Sequence, residues 1–201
     1  MEIYRAFPST LKLSNEVENA SYVPYVLVDK LFTPEELALI IDLWDEGQVI
    51  DTKVYLPGNA RADVPEHRKS RKQYLHTEGN EWIYDKIAGL CLMMNAARFK
   101  FEISGFHGPL SYNLYEPDNY FTWHMDYGAK ASSRRKLVVC IQLSDSSEYE
   151  GGDLQLINDV TVSKEKGSVA IFPSFVVHRV APVVSGCRKS LVAHIGGPPF
   201  R

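Results

Sequence analysis

The second half of the chain is a succession of short β-rich runs separated by turn residues, with no helical pattern between them. After Phe99 the runs are Leu110 to Tyr115, Tyr120 to Asp126, Lys136 to Leu143, Asp153 to Ile157, Ser168 to Phe172, Val176 to Val180 and Lys189 to Ile195. Short strands at this spacing are the pattern of a sandwich or barrel. The absence of helices between them argues against a parallel βαβ sheet. The expectation is an antiparallel jelly-roll barrel over about residues 101–197. About residues 1–100 should form a helical support packed on it. The 201 residues are enough for one domain, and the fold class is mainly β with flanking helices (α+β).

The N-terminal half carries mixed signals. Tyr22 to Leu31 is a strand candidate rich in Val and Tyr. Thr33 can cap a helix, Pro34 suits its first position and Glu36 completes a capping box. Leu37, Ile40, Ile41 and Trp44 follow at helical spacing, and Gly47 is the expected stop. A second helix is expected over Glu81 to Ala97, with Ile83, Ile87, Leu90 and Met94 as its buried stripe. Between the helices, Lys53 to His76 contains Pro57-Gly58-Asn59 and then Arg61, Arg68, Lys69, Arg71 and Lys72. It reads first as a solvated loop, and second as a flap over a site.

Charge and cysteine content narrow the function classes. Lys plus Arg is 22 and Asp plus Glu is 25, a net −3, which lacks the basic footprint of a nucleic-acid binder. No run of about 18 apolar residues offers a membrane span. Met1 to Thr10 carries Glu2 and Arg5 with no apolar stretch, unlike a secretory signal. Cys91, Cys140 and Cys187 form no CxxC and no disulfide framework, which fits a reducing compartment. The expectation is a cytoplasmic protein.

The chemistry concentrates in Trp123-His124-Met125-Asp126. On a strand, positions i and i+2 share a face, so His124 and Asp126 project together and can chelate a metal. A third ligand must come from elsewhere. His178 sits on a later strand candidate. His194 is its serious rival, whereas His67 and His76 lie in the polar loop and His107 in a turn between Phe106 and Gly108. Two His and one carboxylate with open positions form the facial triad of non-haem Fe(II) oxygenases. Ten residues after His178 comes Arg188-Lys189-Ser190. Arg188 and Ser190 share a face by the same alternation, and a guanidinium beside a hydroxyl can receive a carboxylate in a fork. Most Arg residues are only surface charges. Beside a metal site, however, this one suggests a keto-acid cosubstrate and favours His178.

These residues stand in a wider pattern. Tyr115 precedes His124-Met125-Asp126 by nine positions. There follow Tyr149-Glu150-Gly151-Gly152, the segment Gly167 to Pro173, His178-Arg179-Val180-Ala181-Pro182-Val183 and Gly186-Cys187-Arg188. Upstream, Arg68-Lys69-Ser70, Trp82-Ile83-Tyr84 and Asn95 keep a matching order. The sequence resembles the 2-oxoglutarate and Fe(II)-dependent dioxygenases, in their prolyl 4-hydroxylase-like branch and the bacterial PKHD-type hydroxylases within it. The resemblance runs from about Phe32 to Ile195 and is strongest over Tyr115 to Ser190.

It implies a double-stranded β-helix (jelly-roll) fold. It also implies Fe(II) held by His124, Asp126 and His178, and 2-oxoglutarate whose distal carboxylate meets Arg188 and Tyr115, with Ser190 as a further pocket residue. Ascorbate binding is implied by the same likeness. The reaction implied consumes O2 and 2-oxoglutarate, releases succinate and CO2, and hydroxylates an unactivated C–H bond. Asp126 favours hydroxylation over halogenation, since related halogenases lack this carboxylate. Leu137, Val139, Ile141, Leu154 and Ile171 are candidates for an apolar wall inside the barrel. His194 falls where the family often has Trp.

The substrate implied is a prolyl residue in a peptide or protein, with a free amino acid or other small molecule as the alternative. A zinc or cupin-type metalloenzyme and a non-catalytic jelly-roll binding module compete with the whole reading. The zinc or cupin-type reading gives Arg188 and Tyr115 no clear role, and the intact triad His124, Asp126 and His178 argues against the binding module.

Overall fold

In the computed structural model, residues 25–52, 54–55, 61–62, 66–157 and 159–200 are described. In chain order the strands of the N-terminal half are β1 (Val26–Val28), β2 (Ile50–Asp51), β3 (Val54–Tyr55), β4 (Arg61–Ala62), β5 (Arg68–Lys69) and β6 (Arg71–Leu75). Helix α1 (Pro34–Asp42) follows β1, and helix α2 (Glu81–Met94) follows β6. Next come β7 (Gly105–Phe106), β8 (Leu110–Tyr115), β9 (Tyr120–His124), β10 (Arg135–Gln142), β11 (Tyr149–Gly151) and β12 (Leu154–Leu156). The last are β13 (Val160–Thr161), β14 (Val169–Pro173), β15 (His178–Val180), β16 (Val183–Gly186) and β17 (Arg188–Gly196).

Two sheets face each other in a double-stranded β-helix. The larger runs β1-β14-β10-β17-β8-β6-β2, with β7 also paired to β17, and the smaller runs β13-β12-β15-β9-β5. Every ladder is antiparallel. The expected strands of the second half appear within a residue or two of their predicted bounds. Tyr22 to Leu31 contributes Val26–Val28, and its first residues lie outside those described.

The large sheet is buried on both faces, which explains why β10 reads as an unbroken apolar run. Alternation divides its residues. Leu137, Val139, Ile141, Val169, Ile171, Leu191, Ala193 and Ile195 pack with α1 and α2 against Ile40, Ile83 and Ile87. Val138, Ala170 and Phe172 turn inward to meet Leu154, Leu156, Val162, Val176 and Val180 of the facing side. This corrects the expected interior wall. Of its five candidates only Leu154 faces the interior, and Leu137, Val139, Ile141 and Ile171 lie under the helices. Apolar character alone does not tell the two faces of a sheet apart when both are buried.

Helix α1 starts as its capping box requires: Glu36 N–H donates to Thr33 Oγ1 at 3.2 Å and Thr33 N–H to Glu36 Oε2 at 2.8 Å. It ends at Asp42, ahead of the expected stop at Gly47, and a separate 3-10 turn covers Glu46–Gln48. The reason is tertiary. Gln73 of β6 donates to Leu43 O at 2.8 Å and accepts from Asp45 N at 2.8 Å, which takes over the backbone where the helix would continue. Helix α2 passes into a π-helical turn, Asn95–Phe99, closed by Lys100 at φ 56°. The Asn95 side chain bonds both backbone groups of Phe101, at 2.8 and 2.9 Å. Lys86 of α2 reaches Glu36 at 2.5 Å, which ties the helices together.

The basic stretch also differs from its expectation. Much of it is sheet: β5 pairs with β9, and β6 with β8. Pro57-Gly58-Asn59 lies outside the described residues.

Candidate metal centre

Strands β9 and β15 are neighbours in the smaller sheet, and their register sets His178 opposite His124. The two rings lie 4.1 Å apart, centroid to centroid. Asp126 stands beyond the end of β9, so strand alternation alone does not place it. The N–H groups of Asp126 and Tyr127 both donate to Ser174 O at 2.9 Å, in the turn between β14 and β15. One ligand atom each from His124, Asp126 and His178 falls within 4.8 Å of the others.

The imidazoles are set for ligation. His124 Nδ1 lies 2.7 Å from Thr122 O and His178 Nδ1 2.9 Å from Val176 O. A carbonyl oxygen only accepts, so each Nδ1 carries the proton. That leaves Nε2 as the ring nitrogen facing Asp126: His124 Nε2 stands 4.0 Å from Asp126 Oδ1 and His178 Nε2 3.7 Å from Asp126 Oδ2. The Phe121 ring stacks on His124 at 3.4 Å and Phe172 meets His178 edge-on at 4.8 Å. Burial, and then the neighbouring His178, push the His124 imidazole down to about 3. Burial alone would raise the Asp126 carboxyl, but His194, His178 and His124 hold it well below the usual carboxylate range. Two imidazole nitrogens and a carboxylate oxygen within 4.8 Å of one another are a donor set that Fe(II) or zinc accepts.

Arg188 occupies the same interior, paired directly with Tyr115 across the β8–β17 ladder. Its guanidinium carbon is 5.6 Å from the Tyr115 ring, and its Nη1 donates to Ser190 Oγ at 3.4 Å. Arg188 is only 4% exposed, and it forms no ion pair among the described residues. Gly152 makes room for it: a Cβ there would stand 3.2 Å from both Arg188 Cδ and Tyr149 Cε2.

Comparison with known proteins matches this arrangement. The profile of the 2OG-Fe(II) oxygenase superfamily matches residues 110–196, which hold all three metal-ligand candidates together with Arg188 and Tyr115. That stretch is a 2OG-Fe(II) oxygenase domain. A PKHD-type hydroxylase of Bordetella pertussis is 28% identical over 176 residues, 82% of this chain and 75% of the relative. One from Synechococcus sp. (strain CC9311) is 28% identical over 117 residues, 57% of this chain. The match spans about half of that relative, 48%. Among solved structures, a Pseudomonas putida prolyl-4-hydroxylase superposes with a TM-score of 0.70 at 18% identity, covering 90% of this chain and 96% of its own. A Trichoplax adhaerens prolyl hydroxylase, solved with a hypoxia inducible factor peptide fragment, gives 0.70 at 15% identity, covering 86% and 83%. At these identities the two structures show the shared fold.

The fold also brings in residues to which sequence reading assigned no role. Arg68 lies 4.4 Å over the Phe121 ring, donates to Asn113 Oδ1 at 3.0 Å and to Ser70 Oγ at 2.9 Å. It was hidden in a charged stretch without apolar periodicity. Tyr149 accepts from Gln142 Nε2 at 3.0 Å. Burial pushes its phenol up, against the nearby Arg188. Ser111, Asn113 and Tyr115 alternate with the buried Leu110, Tyr112 and Leu114, a legible sign of a polar-lined interior. Arg135 lies 3.7 Å from Asp126 Oδ1, and its Nε is buried without a hydrogen-bond partner. His194 does not replace His178 but joins it, 3.2 Å from Asp126 Oδ2. His67 and His76 are exposed, and His107 lies in a bend, as expected.

Proposed function

We propose that this chain is an Fe(II)- and 2-oxoglutarate-dependent hydroxylase of prolyl 4-hydroxylase type, acting on a prolyl residue of a peptide or protein. The observation that carries the reading is the buried guanidinium of Arg188, without an acidic partner among the described residues, in the same barrel interior as the triad. An unpaired buried cation is costly, and the distal carboxylate of a keto acid would neutralise it. Nothing in a zinc hydrolase or a binding module calls for that pairing.

His124, Asp126 and His178 would hold the iron. Bound there, iron would supply the oxidising chemistry that turns 2-oxoglutarate and O2 into succinate, CO2 and a hydroxylated product. The protein supplies placement and the exclusion of water. The Nδ1 hydrogen bonds fix both imidazoles as Nε2 ligands. Arg188 forks onto the distal carboxylate, with the Tyr115, Tyr149 and Ser190 hydroxyls beside it. Val138, Leu154, Phe172 and Val180 form the apolar lining that keeps water out. Ascorbate belongs to the same reading as an accessory, and no particular residue supports it.

A second reading, hydroxylation of a free amino acid or other small molecule, rests on Arg135. Its guanidinium, with Nη1 3.7 Å from Asp126 Oδ1, places a cation beside the triad that a substrate carboxylate would meet.

The deciding experiment adds Fe(II) and 2-oxoglutarate anaerobically and follows the visible charge-transfer band of the chelate. The band is expected in the wild type and lost or weakened in Asp126→Ala and Arg188→Ala. Its absence from folded, iron-loaded wild type overturns the cosubstrate assignment. For the substrate, prolyl peptides are compared with free L-proline by 2-oxoglutarate-dependent addition of one oxygen in mass spectra.

A further inference from the structure

Strand β17 turns Arg188, Ser190, Val192 and His194 to one face, because Leu191, Ala193 and Ile195 between them belong to the helix-side core. The two functional ends of that face do different things. Arg188 stands at one end, paired with Tyr115. His194 stands at the other, where its Nε2 lies 3.2 Å from Asp126 Oδ2. A carboxylate oxygen only accepts, so this nitrogen carries the proton. The imidazole is well anchored: His194 is paired with Val138 of β10, and its carbonyl accepts from His107 N at 2.7 Å. Its side chain is 17% exposed. The group of mutually close ligand atoms comprises His124, Asp126 and His178 without it.

We propose that His194 is a positioning residue for Asp126. Its Nε2–H holds Oδ2, so that the carboxylate turns a fixed oxygen toward a metal bound by His124, Asp126 and His178. The proposal rests on the reading of those three residues as a metal centre. A ligating carboxylate held by a neighbouring N–H loses rotational freedom that it would otherwise give up on binding. Removing such an outer partner typically costs about 10–100-fold in metal affinity.

The test uses Co(II) alone, without 2-oxoglutarate or substrate. Co(II) affinity and the visible ligand-field spectrum are read for wild type, His194→Gln, His194→Phe and His194→Leu, with thermal unfolding of each metal-free protein beside them. His194→Gln keeps an N–H donor and is expected to bind like wild type with the same spectrum. His194→Phe keeps a ring and His194→Leu is smaller. Whichever of them folds is expected to bind about 10–100-fold more weakly with a shifted spectrum. A purely structural role would instead lower the unfolding temperature and leave the Co(II) affinity of the folded protein unchanged. That result overturns the proposal. So does the loss of one nitrogen ligand in every variant, Gln included, because His194 would then bind the metal itself. Wild type whose Co(II) binding is absent, or is indifferent to His124→Ala and His178→Ala, overturns the metal-centre reading and the proposal with it.

Discussion

Gly152 sits against the stem of Arg188, where a Cβ would stand 3.2 Å from Arg188 Cδ and 2.9 Å from Val183 Cγ2. Its φ of +62° is itself a left-handed conformation, which costs a side-chain-bearing residue about 1–2 kcal/mol. Gly152→Ala is therefore expected to displace the guanidinium. The KM for 2-oxoglutarate should rise several-fold, and thermal unfolding should shift down by a few degrees. Steady-state turnover and melting curves measure both.

Arg188 itself should matter far more. Truncating one partner of a buried, hydrogen-bonded charge pair costs about 2–5 kcal/mol. Arg188→Ala should thus raise the Kd for 2-oxoglutarate by roughly 30-fold or more. Arg188→Lys keeps the charge without the fork and should fall between. Tyr115→Phe removes one hydroxyl and should cost about 1–2 kcal/mol. Titration of the charge-transfer band with 2-oxoglutarate gives all three.

Metal removal offers a direct check. A chelator should abolish 2-oxoglutarate turnover. Fe(II) should restore it and Zn(II) should not, although zinc accepts the same donors. Activity that survives chelation, or that zinc restores, contradicts the oxygenase reading.

The acid limb of stability follows from the buried histidines. His124 is pushed down to about 3 in the folded metal-free protein, from an ordinary value of 6.5. His194 and His107 are lowered as well, first by burial. Between about 3 and 6.5 the unfolded chain binds the extra His124 proton and the folded one does not. Stability therefore rises with pH across that window and is lost as pH falls through it. Asp126, also held low, adds loss in the same direction at still lower pH. The metal-free melting temperature should decline steadily from pH 7 to pH 4.5. His124→Gln, which has no proton to gain, should flatten that slope.

The helices should prove essential to the sheet that carries the site. Ile83 of α2 is fully buried against the large sheet. Ile83→Ala should cost about 2–5 kcal/mol, readable as a lower urea midpoint with an unchanged slope. A much smaller loss would show that α2 packs on the sheet only loosely.

Much of this was legible along the chain. The strands of the second half, the capping box at Thr33, the second helix and the shared face of Arg188 and Ser190 all follow from local rules: period, turn chemistry and alternation. The His124–Asp126 pair was legible as a short motif, although Asp126 lies beyond β9 and is placed by Ser174 O. What stayed hidden is specific. Arg68 lay in a charged stretch that reads as loop, because β5 and β6 take their place from pairing with β9 and β8, not from an apolar pattern of their own. The apolar wall was assigned to the wrong face because both faces of the large sheet are buried, so hydrophobicity carries no inside and outside there.

By itself, the sequence determined which residue types stand at which phase of each strand, and so which could share a face. Only the tertiary structure decided which faces meet. The register of β15 on β9 sets His178 opposite His124, and Ser174 O, in the turn between β14 and β15, pins Asp126 beside them. The pairing of β17 with β10 and β8 sends His194 to Asp126 and Arg188 to Tyr115. Periodicity is a property of one strand. Register is fixed by hydrogen bonds and packing between strands far apart in sequence, and no single strand contains it.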